Sequence, residues 1–94
     1  MRFEWDPEKA RRNLKKHGVS FDEALTAFHD PLSATFDDPD HSDDEKRYIT
    51  VGFSSQNHLL VIGHTERAEV VRIINARRAT AHERKRHEEQ EKKL

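Results

Sequence analysis

The sequence predicts a small α+β domain in which two N-terminal helices pack on a four-stranded antiparallel sheet and a C-terminal helix follows. Three observations predict it. Helix punctuation is dense in the first third of the chain, at Asp6-Pro7, Gly18, Ser20 and Pro31. Between Leu32 and Ala76 the apolar residues change to alternation or short continuous runs, separated by turn residues. The chain then ends in a stretch that is capped like a helix but nearly free of large apolar side chains.

The elements follow in order. Arg2-Phe3-Glu4-Trp5 alternates polar and apolar, as a half-buried strand does. Asp6 can accept from free amides of a first helical turn, and Pro7 loses nothing there by lacking an N–H. In this helix Ala10 and Leu14 are expected to face inward, while Lys9, Arg12 and Lys16 form a basic stripe. Gly18 ends it. Ser20-Phe21-Asp22-Glu23 is a capping box for a second helix, and Phe21, Ala24, Leu25 and Phe28 give it an apolar stripe up to Pro31.

Leu32 to Phe36 and Tyr48 to Phe53 alternate as strands. Ser54-Ser55-Gln56-Asn57 reads as a hairpin turn. Leu59 to Ile62 is a continuous apolar run, expected of a central strand. Glu66-Arg67-Ala68-Glu69 turns the chain into a last strand, Val70 to Ala76. Successive short turns imply an antiparallel meander. Phe21, Leu25 and Phe28 are expected to meet Ile49, Val51 and Leu60 or Ile62. Thr80-Ala81-His82-Glu83, a second capping box, opens the final helix.

Composition narrows the function. The 94 residues suit a single domain, 1–94, with a small core. Charged residues reach 37%, well above the usual ~25%, yet the net charge is only −1. With no cysteine, there is no disulfide scaffold and no thiolate nucleophile. No apolar run is long enough for a membrane span, and the first residues lack the apolar stretch of a signal peptide. A cytoplasmic protein is the expectation. The seven histidines are scattered and form no H-E-x-x-H pair, so neither a metal nor another cofactor is expected. The acidic stretch Asp37 to Glu45 lacks the glycine and spacing of a calcium loop and reads as a solvated loop. Blocks of opposite charge, basic from Lys9 to Lys16 and acidic from Asp37 to Glu45, suggest separate surfaces for anionic and cationic partners.

Arginines carry the chemical signal. Arg72 interrupts an apolar strand, where a guanidinium costs burial unless it lines a cleft or pairs with an acid. Arg77 and Arg78 precede a capped helix N-terminus, a place suited to a phosphate diester. Glu66, Glu83, His17 and His64 stand as proton-transfer groups. The alternative is structural: Arg72 and one of the pair bridge internally to Glu66 or Glu83.

Phe3-Glu4-Trp5-Asp6, Asn13-Leu14-Lys15-Lys16-His17-Gly18-Val19-Ser20-Phe21, Thr65-Glu66-Arg67 and Ile74-Asn75-Ala76-Arg77-Arg78-Ala79-Thr80 together resemble the BrnT toxins, over nearly the whole chain. The resemblance implies the toxin of a type II toxin–antitoxin module of bacteria or archaea, with a RelE-like fold and a metal-independent endoribonuclease activity that stops translation. It implies a BrnA-like ribbon-helix-helix antitoxin as partner. Operator DNA would be bound only through the antitoxin, and a toxin homodimer would sit within a heterotetramer. The candidate site residues are then Arg67, Arg72 and Arg77 or Arg78 on the phosphate, with Glu66, His17, Lys15 or Glu83 as base or acid. All the arginines are expected to share one cleft. The alternative function is a non-catalytic partner-binding module in a transcriptional repressor complex.

Overall fold

The punctuation in the first third acts as expected. The computed structural model describes residues 1–38 and 46–92. After strand β1 (Arg2–Glu4), helix α1 (Pro7–His17) starts at Asp6, whose carboxylate accepts from the Glu8 amide at 2.8 Å. It ends at Gly18, which takes the left-handed φ of 69° and donates to the Leu14 carbonyl at 2.8 Å. Helix α2 (Phe21–Ala27) is capped by Ser20 Oγ, which accepts from the Glu23 amide at 3.0 Å. Only half of that capping box closes: the Glu23 carboxylate turns away toward Ser54 and His58. The helix stops short of Pro31, with Phe28 as its C-cap.

Strands β2 (Ala34–Asp37), β3 (Arg47–Phe53), β4 (Leu59–Arg67) and β5 (Val70–Arg78) form the expected antiparallel meander. The sheet, however, has five strands and is mixed. Residues 2–4 add β1 to the outer edge of β5 in parallel, giving the order β1-β5-β4-β3-β2. A parallel partner so far away in the chain leaves no hairpin turn to announce it. The apolar run of β4 is central, as expected. Its strand is longer than that run and reaches Arg67, so the turn into β5 shrinks to Ala68 and Glu69, both at positive φ. Helix α3 (Ala81–Lys92) follows β5.

The core lies between α1, α2 and one sheet face. Val19, Phe21, Ala24 and Ala27 meet Leu60, Ile62, Ile73 and Ala76, with Phe3, Trp5, Leu25 and Phe28 half-buried around them. Two packing expectations fail here. Ile49 and Val51 point to the other face, because Thr50 and Gly52 hold the α2 side of β3. A Cβ at Gly52 would lie 2.8 Å from the Ala27 carbonyl, so only glycine admits α2 this close. Leu14 is half exposed, and the buried residue of α1 is Asn13. Its side-chain amide donates to the Val19 and Ala76 carbonyls and accepts from the Ala76 amide, so its polar atoms are satisfied inside the core. Residues 39–45 of the acidic stretch lie outside the described residues.

Candidate active site on the open sheet face

The second face of the sheet is only partly covered. Over Ile49 and Val51, α3 stands off enough to leave a groove of about 480 Å³ lined also by Phe36, Glu83 and His87. Toward the β4–β5 turn, none of the described helices covers this face of the sheet. There Glu4, Thr65, Arg67, Ala68, Val70 and Arg72 line an open cleft of about 520 Å³.

Strand register builds this cleft. Glu4 pairs with Arg72, Arg72 with Thr65, and Thr65 with Arg47. Paired residues share a face, so these four stand in one rank across β1, β5, β4 and β3, each about 5 Å from the next. Arg67 lies two residues beyond Thr65 on the same face. The Glu4 carboxylate and the Arg72 guanidinium meet at 3.2 Å, both about half exposed. Arg72 thus escapes burial in its apolar strand by entering a cleft and pairing with an acid. Its partner is Glu4, neither of the two acids weighed from sequence.

The expected single cleft for all the arginines does not form. Arg77 is five residues along β5 from Arg72, about 16 Å away. A bulge at Gly63/His64, which takes in Ile74, re-phases the strand and returns Arg77 to the open face. There it grips Glu83 of α3 through two hydrogen bonds, at 2.8 and 2.9 Å. That bond raises the Arg77 pKa and, with help from the Thr80 amide, holds Glu83 down to about 2. A carboxyl so acidic is a weak base. Glu83 and Thr80 also close the second capping box in both directions. Arg78 points to the helix side, 3.0 Å from His58 Nε2, and His58 Nδ1 lies 2.8 Å from the buried Glu23 carboxylate.

The proton-transfer candidates are dispersed. Glu66 alternates onto the helix face, 3.7 Å from His64 Nδ1. His64 is fully buried between Phe28 and Tyr48, its Nε2 2.7 Å from Thr50 Oγ1. Burial lowers its pKa to about 4, so the ring is neutral at pH 7. Lys15 and His17 occupy the exposed last turn of α1, in the helix layer. Sequence reasoning missed Glu4 as a site residue, because its meeting with Arg72 depends on the parallel edge strand, and it did not bring Thr65 and Arg47 together with Arg72. Only the polar phase of the Arg2–Trp5 alternation hinted at Glu4. Among the described residues no three His, Asp or Glu side chains converge as a metal ion requires, and no helix is long and apolar enough to cross a membrane.

Residues 5–83 match the family model described as the ribonuclease toxin BrnT of a type II toxin-antitoxin system. The chain belongs to this family. No curated protein matches it. The fold resembles the crystal structure of the Brucella abortus ribonuclease toxin BrnT, with a TM-score of 0.65 and 19% identity, over 85% of this chain and 97% of that one. The family that the sequence motifs resemble is thus the family of the chain, and its ribonuclease activity directs attention to the cleft where the exposed Arg67 and Arg72 stand on the sheet.

Proposed function

We infer that this BrnT-family toxin is an endoribonuclease that cleaves RNA without a metal ion and thereby inhibits translation in the cytoplasm. The observation that carries the reading is the pairing of Arg67 and Arg72 in one open cleft. RNA contains its own nucleophile, the 2′-hydroxyl. The protein has to orient it against the adjacent phosphorus and stabilise the pentacovalent transition state, which gathers negative charge on its equatorial oxygens. Two guanidiniums on a rigid sheet suit that charge, because their donors are planar, permanently charged and aimed before the substrate arrives. Arg72 leaves Glu4 for the phosphate or shares its donors between the two. Arg77 secures α3 at the rim of the face, and Arg78 stands behind the sheet with His58. None of Glu66, Lys15 and His17 lines the cleft.

The partner in this reading is a BrnA-like ribbon-helix-helix antitoxin. It binds operator DNA on behalf of a complex holding a toxin homodimer within a heterotetramer. The polar α3 and the groove beneath it offer a surface apart from the cleft. Co-purification with that partner should raise the melting temperature of the toxin.

The deciding experiment incubates the purified chain with RNA in excess EDTA and analyses the new ends. Cleavage to a 2′,3′-cyclic phosphate and a 5′-hydroxyl is expected. A chain that binds its partner but leaves RNA intact would instead be a non-catalytic module of a repressor complex.

A further inference from the structure

We propose that Glu4 is the general base that deprotonates the attacking 2′-hydroxyl. The assignment rests on the ribonuclease reading and adds to it the one group the arginines do not supply. Three observations lead to it. Glu4 is the one acid among the six residues that line the cleft. Its carboxylate is 3.2 Å from Arg72 Nη1, so a phosphate oxygen held by Arg72 has the adjoining ribose within reach of the same carboxylate. It stands at the end of the rank Glu4–Arg72–Thr65–Arg47, with the acid at one end and two arginines, Arg72 and Arg47, beyond it on either side of Thr65.

That order gives the reaction a direction across the strands. The Glu4 carboxylate takes the 2′-hydroxyl proton as the 2′-oxygen forms its bond to phosphorus. Arg72 and Arg67 hold the equatorial oxygens. The P–O5′ bond breaks toward the Arg47 end, and the departing 5′-oxygen takes a proton from water. Glu4 then returns its proton to solvent. The products are a 2′,3′-cyclic phosphate and a 5′-hydroxyl, and no oxidant, metal or cofactor enters the balance. Glu66 cannot take this role from the helix face, and Glu83 lines the α3 groove, outside the cleft, with both its oxygens bonded to Arg77.

The competing explanation is that Glu4 only positions Arg72. Wild type, Glu4→Gln, Glu4→Asp and Glu4→Ala separate the two, each checked by thermal melting. Half-exposed on an edge strand, Glu4 can be replaced without opening the core. Under the proposal, Glu4→Gln lowers kcat by about 10²–10⁴-fold with KM little changed, and the acidic limb of the rate profile disappears. Glu4→Asp retains part of the rate, and formate partly rescues Glu4→Ala. A folded Glu4→Gln with wild-type kcat overturns the assignment and leaves the ribonuclease reading standing. So does a defect confined to KM. Cleavage by wild type of a strand carrying a single 2′-deoxyribose at the scission point also removes the base, since there is then no hydroxyl to deprotonate. No cleavage of any RNA by wild type removes both readings together.

Discussion

The two ends of β5 carry the same residue type under opposite conditions. At one end Arg72 lies in an uncovered cleft, half exposed, holding a carboxylate at 3.2 Å in a single contact. At the other, Arg77 is clamped by two hydrogen bonds to Glu83, with α3 over it, and Arg78 leans on a histidine held by a buried acid. An arginine with one loose partner can exchange it for a phosphate. One held bidentate in a capping box would give up structure to do so. The comparison teaches that a cluster of arginines in sequence is not a cluster of equivalent tools. A one-residue bulge at Gly63/His64 and one distant edge strand divide them between substrate and scaffold.

The largest effect expected from breaking this contrast is at Arg72. Arg72→Ala should lower RNA cleavage on the order of 10²–10³-fold, as loss of one transition-state donor does, while melting changes little because the pair with Glu4 is exposed. Cleavage rates and melting curves on the same preparation check it. Equal activity in a folded variant would return the search to the Arg77 end.

Next comes pH. His64 lies beneath the Arg72 end, and its folded pKa of about 4 is below the ordinary 6.5. The unfolded chain therefore binds the proton more readily, and stability falls as pH drops from about 6.5 toward 4. The loss between pH 7.5 and 5 should be about 2 kcal/mol in urea titrations. His64→Gln, which can keep a bond to Thr50, should flatten that slope. The α3 end titrates lower. Glu83, depressed from 4.5 to about 2, contributes stability above about 4.5 that is lost as pH falls through about 2. Helicity of α3 should therefore survive at pH 5 and diminish below it.

A smaller change is expected at Arg77. Arg77→Ala should cost about 1 kcal/mol, or about 4–8 °C of melting temperature, with cleavage at low temperature largely kept. A double-mutant cycle with Glu83→Gln should show that most of this loss is shared. The least effect belongs to the α1 C-terminus: Lys15→Ala and His17→Ala should leave cleavage within about twofold, since both lie in the helix layer behind the sheet.

Local chemistry was legible in the sequence. Asp6-Pro7, Gly18, Ser20 and the Thr80–Glu83 box cap their helices, and the Leu59–Ile62 run is the central strand. What depended on distant partners was not. The Leu14 position looked apolar and inward, yet the interior at that turn belongs to Asn13, whose amide finds its partners 63 residues away at Ala76. Alternation in β3 was clear, but either phase could have faced the helices. The small Gly52 decides it, by admitting the Ala27 backbone. For the site, Arg72 was evident from its position in an apolar strand, and Arg67 from the Thr65-Glu66-Arg67 motif beside the turn that follows β4. Glu4 was hidden, since nothing in a three-residue segment announces a parallel partner.

The pairing of β1 with β5 also orders events in time. Glu4 and Arg72 are 68 residues apart, so synthesis from the N-terminus supplies the acid well before the arginine. Both helices that roof the core, and three of the five strands, can be in place while the cleft still lacks a wall. On the reading proposed above, a nascent chain has no assembled cleft until β5 emerges to bind β1.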